Sequence, residues 1–236
     1  MPNVNLSTSE TEMKGDLYIF IATPKSNYQE IFKSILVNSQ DPKKSCFLIP
    51  SDEKFNGFPY SNWELIDSEF LFQSKEFLDF QEYFLLFSNK LNLADQIEAT
   101  LALLKRNKGL ELIRIITLLD SNLLVQTING LKEWLDSCAH FSDALCFTNR
   151  NNENSSSIKE LTERYKSMCY PMETFILSSK KDTQINQILK PVSLRVTHIF
   201  DNPELLEPED TPENDHFLEC LSNGTRKNVI PICNFA

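Results

Sequence analysis

The chain has 236 residues, enough for one α/β domain with a sizeable core and an appendage but cramped for two full domains. Its 33 acidic against 23 basic residues leave a formal charge of -10, which repels nucleic acid and anionic membrane surfaces and sets both aside as partners. With 5 glycines it is poor in the residues that let backbone approach a phosphate closely, which counts against a working phosphate loop.

The 6 cysteines, Cys46, Cys138, Cys146, Cys169, Cys220 and Cys233, contain no C-x-x-C pair, so neither a zinc ribbon nor a disulfide framework is indicated. Met1 to Asp16 is polar and carries acidic residues, unlike a signal or transit peptide, and no apolar run approaches the ~20 residues of a membrane span. A cytoplasmic, reducing location is the expectation.

Residues 1–15 read as a loose polar arm. Leu17 to Ala22 is a compact apolar strand, broken by Thr23-Pro24-Lys25. Ser26 followed by Gln29 has the form of a capping box before the helix period Ile31, Phe32, Ile35, Leu36. Cys46 to Ile49 gives a second strand, ended by Pro50, and Trp63 to Ile66 a third. Phe80 to Phe87 fits a buried strand within an aromatic cluster (Phe70, Phe72, Phe77, Phe80, Tyr83, Phe84, Phe87) that combines core packing with an exposed docking patch. Ala94 to Arg106 is a well-signalled helix, with Asp95 in the first turn, basic residues in the last and Gly109 beyond.

The stretch from Ile113 to Asn152 is the centre of the chain. An apolar run, Ile113 to Leu119, stops at Asp120; a helix-period segment carries Leu124, Ile128, Leu131 and Leu135 on one side; Ala144 to Phe147 then ends in Thr148-Asn149-Arg150-Asn151-Asn152. Two buried strands joined by a helix make a βαβ unit of a parallel sheet. Ligands in such folds lie at the carboxyl ends of the strands, so Asp120 and Asn149 mark the face of interest. Asp143 reads as a brace at the start of the second strand. Cys138, His140 and Cys146 read as structural, because residues two apart on a helix do not face together.

Ser157 and Glu160 form a second capping box, leading into Ile158, Leu161, Tyr165 and Met168. Thr174 to Leu177 is a strand, Ser178 to Lys181 a turn and Gln184 to Leu189 a short helix. Over residues 16–190 the alternation predicts a doubly wound, mostly parallel sheet with helices on both faces. From residue 191 the pattern changes. Val192 to Phe200 has the composition of an added strand, while Asp201 to Asp215, with seven acidic residues and three prolines, favours an extended linker. Val229 to Phe235 is apolar again, as a return strand or a docking peptide would be.

The order of these segments resembles the GTPase domain of the CobW-type metallochaperone family, a P-loop-NTPase-like fold. Its loop G-x-x-x-x-G-K-T-T corresponds to Ala22-Thr23-Pro24-Lys25-Ser26-Asn27-Tyr28-Gln29-Glu30. Its metal segment E-L-x-N-G-C-x-C-C corresponds to Glu64-Leu65-Ile66-Asp67-Ser68-Glu69-Phe70-Leu71-Phe72. The Leu-Ala-Asp of E-T-x-G-L-A-D-P stands at Leu93-Ala94-Asp95, Thr117-Leu118-Leu119-Asp120 is similar to V-V-D, Phe141-Ser142-Asp143 to F-A-D, and Asn149-Arg150-Asn151-Asn152 to N-K-x-D.

The departures fall where chemistry would be done. Tyr28 and Gln29 stand at the Lys and Thr positions, which supply the cation for the β/γ oxygens and the hydroxyl for Mg²⁺. Glu69, Leu71 and Phe72 stand at the cysteine positions, leaving no soft ligand set for a transition metal. Asn89 replaces an acidic residue, and an amide cannot act as a base. Asn152 replaces the Asp that accepts from the guanine edge, opposing one donor with another.

The resemblance therefore implies a degenerate CobW-like domain without catalytic or metal-binding residues, acting by binding a protein partner or, weakly, GTP or another purine nucleotide. Lys25, Ser26, Asp120, Asn149, Asn152 and Ser178 are the weak nucleotide-site candidates. The alternatives are an active GTP-dependent metal chaperone, with Lys25 as substitute phosphate cation, and an interaction scaffold without nucleotide. The loop Thr23 to Tyr28 is predicted to form no closed phosphate nest, because Pro24 lacks a donor and Asn27 and Tyr28 carry side chains into that space. The Tyr28 ring is expected across the loop mouth.

Overall fold

The computed structural model of the chain describes residues 13–39, 41, 44–55, 58, 60–73, 80–177, 184–202, 204, 207 and 210–235. In chain order the elements are β1 (Lys14–Ala22), α1 (Tyr28–Asn38), β2 (Ser45–Pro50), β3 (Tyr60–Ile66), β4 (Glu69–Phe72), β5 (Glu82–Phe87) and α2 (Leu93–Arg106). They continue with β6 (Gly109–Asp120), a 3-10 turn (Ser121–Val125), α3 (Leu131–Phe141), β7 (Ala144–Thr148), α4 (Ser155–Ser167), β8 (Glu173–Ile176) and α5 (Ile185–Ile188). The eight strands form one sheet in the order β4-β3-β2-β5-β1-β6-β7-β8. Each pairing is parallel except that of β3 with β4. This is a P-loop-NTPase-like doubly wound α/β fold, as the alternation predicts.

Alternation along β1 shows why both faces need cover. Leu17, Ile19 and Ile21 enter one core with Ile97 of α2, Leu135 and Cys138 of α3, and Ile158 and Tyr165 of α4. Tyr18, Phe20 and Ala22 enter the other, with Ile31, Phe32 and Ile35 of α1 and Ile185 and Ile188 of α5. From β1 the chain passes through α1 to β2 on one side; from β5 it crosses to β6 on the other. The carboxyl end of β1 is therefore the place where a ligand crevice opens in such a sheet.

Several sequence expectations are corrected. Strand β1 starts at Lys14 rather than Leu17, and Met13 is buried with its amide on Asn107 Oδ1, so the ordered core reaches into the expected arm. Strand β6 starts at Gly109 because Gly109–Leu112 continues the pairing with Lys14–Leu17. The single helix expected after Asp120 is a 3-10 turn followed by α3; Leu124, Ile128, Leu131 and Leu135 nonetheless line one cleft, of about 600 Å³, with Leu161. The stretch in register with the metal segment is a hairpin, β3–β4, turned by Asp67 and Ser68 in left-handed conformation at φ 50° and 62°. The aromatic cluster holds no docking patch among the described residues: Phe70, Tyr83, Phe84 and Phe87 are buried, and Phe72 and Phe80 pack against the core. Phe77 lies outside the described residues.

Neither capping box forms. Helix α1 starts at Tyr28 after Asn27, and α4 starts at Ser155 after Asn154; neither asparagine caps its helix through its side chain. Both side chains are engaged across loops instead, as described below. Beyond α5 the chain does not extend away. Val192–Phe200 is not a strand, since the amides of Val196 and Thr197 donate to the His140 carbonyl. Ile199, Leu218, Ile230 and Cys233 are buried in the core under α2 and α3. No described helix is long and apolar enough to cross a membrane.

Candidate functional site at the carboxyl edge

At the end of β1 the Thr23 hydroxyl accepts from the Asp120 amide (2.8 Å) and donates to the Leu118 carbonyl (3.4 Å). This side chain bolts the loop after β1 to the end of β6. The loop continues through Lys25 and Asn27 in left-handed conformation, at φ 62° and 60°. Asn tolerates that region better than Lys, because a short polar side chain can bond locally. Lys25 is exposed. Ser26 is fully buried, its amide on the Thr23 carbonyl (3.2 Å) and its hydroxyl without a hydrogen-bond partner.

Asn149, also left-handed at φ 53°, is the hub of the edge. Its side-chain amide donates to the Lys25 carbonyl (2.8 Å) and to Asp120 Oδ1 (3.0 Å), and its Oδ1 accepts from Asn27 Nδ2 (2.8 Å). Asp120 Oδ1 also accepts from the amide (3.2 Å) and side chain (3.1 Å) of Asn122, capping the 3-10 turn. Asn122 Oδ1 in turn accepts from Asn151 Nδ2 (3.0 Å) and from the fully buried Asn154 (3.1 Å). The loops after β1, β6 and β7 are thus laced together by six polar side chains.

Of the candidates, Lys25 (through its carbonyl), Asp120 and Asn149 are brought together directly. Ser26 lies in the same loop but is buried under it, Asn152 stands exposed in the turn before α4, and Ser178 lies outside the described residues. Asn122 and Asn154 lie outside those candidates, and Asn27 enters the sequence reading only as a side chain filling the loop; no local pattern marks their pairing across the loops. Tyr28 does not lie across the mouth. Its ring packs against Phe55 (5.7 Å) and Phe32 (6.3 Å), and its hydroxyl donates to Glu53 (2.9 Å). Burial and then the Glu53 carboxylate push the phenol well above its ordinary range.

At the ends of β1 and β5, where the resemblance would place metal and water handling, Gln96 closes the loop. Its side chain accepts from the Ser88 amide (2.7 Å) and donates to the Ser88 carbonyl (2.9 Å). The cavity there, between Ala22, Phe87, Asn89, Leu93 and Trp134, is about 10 Å³, room for one water. A cleft of about 300 Å³ opens to the side, at the ends of β2 and β3, where Lys90 pairs with Asp52 (2.7 Å).

The remaining groups are spread out. Asp143 lies at the opposite edge from Asp120, accepting from the Ile115 amide (2.7 Å), so the two carboxylates make no catalytic pair. Burial raises the thiols of Cys46 (to about 12), Cys138 and Cys146, which leaves them inert as nucleophiles. Among the described residues no three of His, Cys, Asp and Glu are grouped to hold a metal ion.

The fold is similar to that of a Zn(II)-bound triple mutant of the YjiA GTPase, with a TM-score of 0.50 and 12% identity over 75% of this chain and 61% of that one. A Zn(II)-bound YjiA GTPase from E. coli gives a TM-score of 0.48 at the same identity and coverage. The chain spans about three fifths of the length of those proteins. No family model matches the sequence, and no curated protein does. At 12% identity the likeness is one of fold alone.

Proposed function

We propose that this chain is a GTPase-fold protein that does not hydrolyse nucleotide and acts by binding a protein partner. The observation that carries this is the Asn149 side chain, which satisfies Lys25, Asn27 and Asp120 at once. Of the groups that would read a base, Asp120 and Asn149 are spent on each other and on the loop after β1. Opening the network for a ligand exposes donors and acceptors that the ligand must match one for one. The Lys and Thr positions of the family loop are filled by Tyr28 and Gln29, and Tyr28 is held aside by Glu53. A metal-carrying role finds no support in the four buried thiols, Cys46, Cys138, Cys146 and Cys233, each raised by burial. The 6 free cysteines fit a reducing, cytoplasmic setting.

Calorimetric titration with GTP, ATP and XTP in Mg²⁺ tests the reading. The expected result is no saturable heat and no phosphate release. Micromolar binding with turnover overturns it, and loss of that binding in Lys25→Ala would identify the substitute cation of an active enzyme.

A further inference from the structure

Beyond α5 the chain is rooted at two buried points. Asp143 accepts from the Leu194 amide (2.6 Å) and pairs with Arg195 (3.2 Å). Asp215 takes the His140 ring nitrogen (2.8 Å), the Thr197 hydroxyl (2.7 Å) and the Phe217 amide (3.0 Å).

Past Asp215 the attachment changes character. Residues 216–235 belong to no helix or sheet strand; their backbone bonds are local turns and one isolated bridge, Cys220 with Arg226. Leu218, Ile230 and Cys233 are buried, and Phe235 lies edge-on to Trp134 at 5.2 Å. Phe217 packs against His140 (5.2 Å) and Phe141 (5.9 Å), and these apolar contacts stand against the ordering of the whole stretch. The ionic contact of this stretch with the helices is Arg226, forked on Asp95 (2.6 Å) and Glu98 (2.9 Å) of α2. Those carboxylates are 48% and 39% exposed, so salt screens them.

The path of the stretch gives it a place in the site. Arg226 and Ile230 turn inward while Lys227 and Val229 face solvent, and Asn228 bonds the His216 carbonyl (2.8 Å) within the stretch as the chain bends between them. The Ile230 carbonyl accepts from Asn92 (3.0 Å), the residue before α2. Pro231 covers Gly130, the residue before α3, where an added Cβ would come within 2.8 Å of the proline ring. The chain's own tail therefore lies along α2 and over the first residues of both helices, at the carboxyl edge where the fold receives ligands.

We propose that residues 216–235 are a strap occupying a partner site between α2 and α3, and that they yield it to an extended protein segment of the same chemistry: an arginine followed at the fourth position by an isoleucine-proline. The acidic fork Asp95/Glu98 selects the cation, and the surface beside Asn92, Gly130 and Trp134 takes the apolar end. This rests on the reading of the chain as a partner-binding protein, and its test uses no nucleotide.

The test is a fluorescent peptide of residues 223–235, titrated into the full chain and into its Arg226→Ala variant under reducing conditions. In the wild type the strap competes with the probe; in the variant it is loosened, so the probe binds about tenfold tighter. A probe carrying the same alanine binds neither. Equal affinity for the two proteins, or no binding to either, overturns the proposal. Hydrogen exchange of the unaltered chain supplies an independent reading, with the amides of Leu221 and Lys227 exchanging about 100-fold faster than that of Thr197. Exchange of all three in step makes the stretch a permanent part of the core and removes the strap, whatever the nucleotide titration shows.

Discussion

Asn27 and Asn149 lie 122 positions apart and meet through one hydrogen bond of 2.8 Å, from Nδ2 of the first to Oδ1 of the second. The bond takes the side chain that would cap α1 and uses it to tie the loop after β1 to the loop after β7. A loop that must wrap an anion needs its backbone donors converging and its side chains out of the way. Here the side chains hold the edge shut.

Asn149→Gly keeps the left-handed backbone and deletes the hub. It is expected to cost about 1–2 kcal/mol, since the lost bonds are partly solvated. Asn149→Ala should cost roughly 1 kcal/mol more, from the strain of a Cβ at positive φ. Urea midpoints at unchanged slope measure both, and a glycine variant as stable as the parent would mean that the lacing contributes nothing.

Restoring the family residues should not restore the chemistry. Tyr28→Lys with Gln29→Thr supplies a cation and a hydroxyl but leaves the Asn27–Asn149 tie in place. It also removes a ring packed on Phe32 and Phe55 and a hydroxyl bonded to Glu53. The expected outcome is a loss of about 1–3 kcal/mol in stability with no GTP turnover. Mg²⁺-dependent phosphate release by the double variant would show that the loop, not its bracing, was the only obstacle.

The sheet was legible because its signals are local. Apolar runs such as Leu17 to Ala22 and Ala144 to Phe147 are buried on both faces, and polar turns ending at Asp120 and Asn149 marked the carboxyl edge correctly. The site was half legible: Asp120 and Asn149 do meet, but nothing local ties Asn27, Asn122 and Asn154 to them. A side chain that can cap its own helix or reach a distant loop carries no mark of which it does. The segment after Pro191 misled for a related reason. Its acidic composition describes a linker, yet Asp215 is buried against His140 and Thr197, a pairing no local pattern announces.

Asp215 also sets a pH dependence. Burial by itself raises its carboxyl, but the His140 hydrogen bond and charge, with Thr197 and the Phe217 amide, outweigh that and hold it below its ordinary value of 3.8. A depressed folded value contributes stability that is fully present above the ordinary one and lost as pH falls through the lower one. Asp215→Asn should therefore cost most near neutrality, with the gap between variant and parent closing below about pH 4. Denaturant midpoints across pH check this; a gap that stays constant in acid would exclude the ionised carboxylate as its source.

The last expectation concerns Asp143 and Arg195, an ion pair 0% and 4% exposed that roots the segment after α5. The carboxylate is satisfied twice over by backbone, with the Ile115 amide on Oδ2 (2.7 Å) and the Leu194 amide on Oδ1 (2.6 Å). Arg195 has weaker company besides Asp143, namely Asp201 at 3.5 Å and the Phe200 ring at 5.4 Å. Removing the cation leaves a carboxylate still held by two donors, so Arg195→Met should cost about 1–2 kcal/mol. Asp143→Asn sets an amide donor against one backbone donor and strands a buried guanidinium, so it should cost roughly 3–5 kcal/mol. Adding Arg195→Met to Asp143→Asn should then recover part of the loss, since no charge remains uncompensated. Urea unfolding of the three variants decides it: equal costs for the two single changes would mean that the pairing, and not the backbone amides, is what keeps a carboxylate at this position.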